Sequence, residues 1–175
     1  MFKPMLVALL LSAGVAGSAR AGQYGLGAPI SAARLAGWNI DIAPDGHGLP
    51  PGSGTVAQGR AIFASTCAMC HGDRGQGGVG DPLVGGFGTL TSLKPKKTVG
   101  SYWPYATTLF DYIRRAMPYN APESLSADEV YAVSAYLLNL NGIVPASARL
   151  DARSLPKLRM PNRNGFVPDP RPGTL

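Results

Sequence analysis

An all-α fold of three main helices, with extended arms at both ends, is predicted by three observations. Apolar residues recur at helical spacing in three separate segments between residues 55 and 142. The run Cys67-Ala68-Met69-Cys70-His71 follows directly on the first of these segments. The flanks, residues 22–54 and 143–175, are rich in Gly, Pro or Arg and sustain no helical period. A hydrophobic fraction of 45% in 175 residues is enough for one small core, and no internal repeat divides the chain.

Met1 to Ala21 reads as a secretory signal peptide. Lys3 supplies the positive start, Met5 to Ala16 the apolar run, and Ala19-Arg20-Ala21 the small-x-small site that places cleavage after Ala21. Ser12, Gly14 and Gly17 interrupt a run already too short to span a bilayer, so the mature chain is expected to be periplasmic with no membrane span. The formal charge of +6 falls to +4 once Lys3 and Arg20 are removed. That excess suits docking to an acidic protein surface. It does not suit nucleic acid, because no continuous basic stripe with interleaved aromatics is present.

In the arm, residues 22–54, Trp38, Ile40 and Ile42 alternate with polar residues. This predicts a short strand or an extended stretch that buries Trp38 against the body. Pro44 to Gly54 is turn chemistry throughout.

The first helix is predicted over Val56 to Thr66, with Val56, Gly59, Phe63 and Cys67 on one face. A helical Gly costs about 1 kcal/mol relative to Ala, so Gly59 calls for a reason. A close helix crossing supplies one. The second helix is predicted over Ala106 to Ala116, with Leu109, Tyr112, Ile113 and Ala116 inward and Pro118 as its stop. Ser126 with Glu129 is a capping box, and Leu125 with Val130 the matching hydrophobic staple; they open a third helix that Asn141-Gly142 ends. Val130, Val133, Leu137 and Leu140 form its expected inner face. It is placed across the first helix, with Tyr136 or Val133 near Gly59. The tail, residues 143–175, is expected to be extended and to wrap the body or a partner, with a disordered end as the alternative.

The Cys-x-x-Cys-His spacing is that of c-type haem attachment: two thiols add to the haem vinyl groups and His71 ligates the iron through Nε2. The rival uses of such a cysteine pair lack their other parts. A zinc site needs further Cys or His ligands, and a thioredoxin-like motif needs a strand before its helix. The glycine-rich loop Gly72 to Gly80 lacks the strand and helix of a phosphate cradle. It suits a backbone that curls round a macrocycle.

One haem c per chain then requires a second axial ligand. Met69 lies inside the attachment motif and His47 in an open linker, which leaves Met117, pinned by Pro118 at a helix end, with Met160 as the alternative. Thioether ligation closes the iron to substrate and restricts it to one-electron transfer. His71 needs a backbone acceptor for Nδ1, expected in the Pro82 region. Tyr102, Trp103 and Tyr105 offer O–H and N–H donors for the haem propionates, and ordinary core packing explains them equally well. Lys94, Lys96 and Lys97 read as a solvated loop.

Residues 55–142, with Gly59 and Phe63, the Cys67 to His71 motif, Pro82-Leu83, Met117-Pro118 and Tyr136-Leu137, resemble class I c-type cytochromes. The resemblance implies a cytochrome c-like fold of crossed terminal helices around one covalently bound haem, His71/Met117 ligation, and a Pro82 carbonyl bonded to His71. Trp38 to Gly54, Thr98 to Pro118 and Met160 to Phe166 are similar to the cytochrome subunits of periplasmic sulfite dehydrogenases, and to the cytochrome partner of the sulfur dehydrogenase in the Sox system. That likeness implies a molybdopterin-containing catalytic partner, which oxidises sulfite or protein-bound sulfur, and a downstream cytochrome c or terminal oxidase. A single Cys-x-x-Cys-His departs from the two-haem Sox type and tilts the reading toward sulfite dehydrogenase. The alternatives are a free periplasmic carrier, and a haem enzyme or gas sensor with a displaceable ligand.

Overall fold

The computed structural model describes residues 28–168 and 170. The signal peptide and its cleavage site lie outside the described residues. Two compact units divide the chain after Trp38. Within the first, Ser31 caps a five-residue helix α1 (Ala32–Ala36), its side chain accepting from Arg34 N. Trp38 is 81% exposed rather than buried, and no strand forms over Trp38 to Ile42; of the expected extended stretch, Ile42 in the second unit does pack against the core.

The second unit begins at Asn39 and holds the three long helices at the expected positions. They are α2 (Val56–Thr66), α4 (Ala106–Ala116) and α5 (Ala127–Leu140), and a four-residue helix α3 (Ala68–His71) carries the end of the cysteine motif. Capping boxes open two of them: Thr55 with Gln58 for α2 and Ser126 with Glu129 for α5. Each satisfies helix N–H groups that have no partner of their own. The hydrogen bonds from Ser126 hold the Glu129 carboxyl below its ordinary range. This support for α5 is complete above the ordinary carboxylate range and is lost as the pH falls through the lowered value.

α5 is the centre of the unit and is buried on nearly every side, from Val130 to Leu138, rather than along the single expected stripe. The flanking segments explain the difference. Strand β1 (Ser53–Thr55) pairs antiparallel with β2 (Arg149–Asp151) in the register Ser53 to Asp151, Gly54 to Leu150 and Thr55 to Arg149. A Cβ at Gly54 would run into the backbone of Ala132, so this ribbon lies directly on α5. The tail continues as a 3-10 turn (Leu155–Lys157), and Leu155 and Met160 are fully buried. The tail therefore wraps the body, as one of its expected forms has it, and is core-forming as far as Met160. Tyr131 joins the N-terminal flank to the helices: its hydroxyl donates to Pro50 O at 2.9 Å, its ring centre lies 4.4 Å from that of Phe110, and burial pushes its phenol up to about 12.

On α4 the buried residues are Ala106, Thr107, Leu109, Phe110 and Ile113; the apolar four are spaced three and four apart and make one helical face. Phe110 takes the inward position expected for Tyr112. Tyr112 is half exposed and meets Trp103 edge-on at 5.6 Å. α2 crosses α5 at Gly59, where a Cβ would fall inside the carbonyl oxygen of Ala132 and 2.8 Å from Tyr136 Cβ. The crossing is thus made on Ala132 and Tyr136 rather than Val133. Phe63 and Tyr136 then pack with ring centroids 5.3 Å apart.

Candidate functional site

Helix α2 delivers the cysteine motif. The N–H of Cys67 closes its last turn on Phe63 O at 2.9 Å, and α3 follows without a break, with Cys70 N and His71 N both donating to Cys67 O. Neither cysteine is in a disulfide, and both are partly buried. Burial, with some repulsion from Cys70, pushes the Cys67 thiol up to about 11, so in neutral water it is a protonated thiol. Cys67 and Met117 lie among the partly covered apolar residues at the edge of the core, with Ile62, Leu83, Trp103 and Leu125.

The glycine loop folds over α3 and binds its carbonyls. Gly77 N donates to His71 O and Gly80 N to Cys70 O, both at 2.8 Å. A Cβ at Gly80 would sit 2.9 Å from the imidazole Cε1, and one at Gly78 would sit 2.8 Å from Cys70 O. Only glycine lets this loop approach so closely.

His71 Nδ1 donates to the carbonyl oxygen of Asp81 at 2.7 Å. A carbonyl can only accept, so the proton is on Nδ1 and the Nε2 lone pair is left for a metal. The acceptor is the residue before Pro82, which corrects the expected Pro82 carbonyl by one position. A residue preceding proline is held extended, and the carbonyl thus fixed here is the one on the Asp81 side of the bond.

Asn141 fixes the far side of this loop. Its Nδ2 donates to Leu83 O at 3.1 Å and Leu137 O at 2.9 Å, and it is buried. In the sequence it reads only as a helix terminator, with nothing local to mark its bond to Leu83. The capping Thr55 was also passed over, although Thr-x-x-Gln carries the signal.

The remaining residues singled out in the sequence fall in four places. His47 is exposed. Met160 is 1% exposed and packed into the core. Tyr102, Trp103 and Tyr105 are partly buried in one segment ahead of α4, and the tail packs on them. Their hydroxyl and indole groups form no hydrogen bond among the described residues. Lys94, Lys96 and Lys97 are exposed, with Lys97 Nζ 4.9 Å from the Tyr102 ring centre.

This donor set fits a covalently held haem: two unpaired thiols on one short helix, an imidazole with Nε2 left for iron, and a partly covered apolar fringe that includes a thioether. The family model described as cytochrome c oxidase, cbb3-type, subunit III, matches residues 54–137. The sulfane dehydrogenase SoxCD of Paracoccus pantotrophus contains a chain 44% identical in sequence, with a TM-score of 0.80, over 87% of this chain and 75% of that one. The chain belongs to the cytochrome c family. It is also 32% identical to a thiosulfate dehydrogenase of Stutzerimonas stutzeri (strain A1501), over 70% of this chain; the match spans 42% of that protein's length. This cytochrome c is therefore an electron-transfer protein related to enzymes of sulfur oxidation. Among the described residues, no helix is long and apolar enough to cross a membrane.

Proposed function

We propose that this chain is an exported monohaem cytochrome c that serves as the electron-accepting, non-catalytic subunit of a molybdenum-dependent sulfite dehydrogenase. In this reading Cys67 and Cys70 would hold the haem through thioethers, and His71 and Met117 would supply the protein ligands to its iron. When bound, the haem supplies a single-electron iron couple.

The residues around it set how that couple behaves. Asp81 O fixes the tautomer and orientation of His71 and raises its basicity as a ligand. Met117 offers a soft thioether, which favours the ferrous state and leaves no open position for a substrate. The glycine loop lies close against the imidazole at Gly80. Residues outside the electron path, the arm from Asn39 and the tail to Phe166, suit a protein that docks stably.

The observation that carries this reading is the 44% identity with a chain of the sulfane dehydrogenase over 87% of this chain, well beyond the span of a haem-binding core. A single Cys-x-x-Cys-His motif favours a sulfite-oxidising partner, whose electrons leave for a downstream cytochrome c or terminal oxidase. The test is affinity purification of the full chain from its native cells, followed by addition of sulfite. The reading predicts a co-purifying molybdopterin protein and sulfite-dependent reduction of the haem absorbance. A chain that purifies alone and stays oxidised with sulfite contradicts it.

A further inference from the structure

The tail completes the core at Met160, yet six more residues fold back on the aromatic segment ahead of α4. Arg163 N donates to Met160 O and Gly165 N to Asn162 O, both at 3.1 Å, so Pro161 to Phe166 is a closed turn rather than a trailing end. Three contacts tie this turn to both ends of the Tyr102 to Tyr105 segment. Asn162 Nδ2 donates to Tyr102 O at 2.6 Å. Phe166 meets the Tyr102 ring edge-on at 5.2 Å, and the Arg163 guanidinium lies 4.3 Å from the Tyr105 ring centre.

Arg163 forms no ion pair with any described residue. Stacking on an aromatic face orients a guanidinium without neutralising it. The contact with Tyr105 thus holds a positive charge that no described residue pairs with, beside donors that have no partner among the described residues.

We propose that Asn162 and Arg163 are positioning residues for the carboxylate edge of the haem. Asn162 holds the Tyr102 backbone in place. Arg163 brings a cation that offsets the propionate charge and raises the reduction potential. This rests on the reading of Tyr102 and Tyr105 as groups that face the propionates. The sign follows from electrostatics: oxidation adds a positive charge to the iron, which a nearby cation opposes, so losing the cation makes the haem harder to reduce.

Equilibrium redox titration of the full-length holoprotein tests this with Arg163→Gln, Arg163→Lys and Asn162→Ala, each also followed by thermal unfolding. Arg163→Gln is expected to lower the reduction equilibrium about threefold, ~30 mV at 59 mV per tenfold change, and Arg163→Lys to stay near the wild type. Asn162→Ala is expected to lower both the potential and the melting temperature. A tail that acts only structurally would lower the melting temperature in Arg163→Gln and leave the potential unchanged, which overturns the proposal. A potential that falls as far in Arg163→Lys as in Arg163→Gln also overturns it. A wild-type chain without covalent haem defeats the underlying reading, and shows it before any variant is measured.

Discussion

Gly59→Ala is expected to destabilise the protein by about 3 kcal/mol, the upper part of the range for overpacking a close contact. On an exposed helix the same change gains about 1 kcal/mol, so its sign tests the crossing directly. At Gly59 the added methyl has no room: the Ala132 carbonyl and Tyr136 Cβ occupy the space. Both belong to the central helix α5, whose backbone at Ala132 is also in contact with Gly54 of the ribbon and so cannot yield without moving it. For a unit of this size, a loss of about 3 kcal/mol lowers the melting temperature by roughly 10 °C. Thermal unfolding of the holoprotein measures it, and an unchanged or raised melting temperature contradicts the packing described.

Met117→Ala is expected to change the chemistry more than the stability. Met117 ends α4, with its N–H on Ile113 O at 3.1 Å and its side chain among the partly covered apolar residues at the edge of the core. In the proposed ligation, losing the thioether would open an iron coordination position and remove the soft ligand that favours ferrous iron. The potential is expected to fall by ~0.1 V, within the span of ≈ 0.8 V that axial ligands command. The reduced variant should bind carbon monoxide, which the wild type should not. Absorption spectra with and without carbon monoxide decide the matter. A variant that keeps the wild-type spectrum and refuses the gas assigns the second ligand elsewhere.

Much of the fold was legible because its signals are local. Ser126 with Glu129, Pro118 after α4, and Asn141-Gly142 after α5 act within a few residues of where they stand, and each helix begins and ends where they place it. Gly59 was legible for another reason: a residue that weakens its own helix must be needed by a neighbour. The ribbon was not legible. β1 and β2 have three residues each, too few to show a period, and their partners are almost a hundred positions apart.

A one-faced reading of α5 failed for the same cause, since the segments that cover its other faces are irregular in sequence. At the candidate site, the cysteine motif announces itself. The acceptor for His71 was legible as a region, one residue from Asp81; the Asn141 clamp was not, for its amide reaches a carbonyl at Leu83, far away in sequence. Trp38 shows the converse, a large apolar residue whose size suggested burial and which is exposed.

The central claim is that Cys67 and Cys70 carry one haem through thioether bonds, and the intact mass of the denatured protein tests it most directly. The chain is produced with export and c-type haem attachment available, unfolded, and weighed. The account predicts the polypeptide plus a single haem, shifted to the bare polypeptide in the double variant Cys67→Ala/Cys70→Ala. A wild-type chain at the bare polypeptide mass, with its cysteines free or joined in a disulfide, would contradict it.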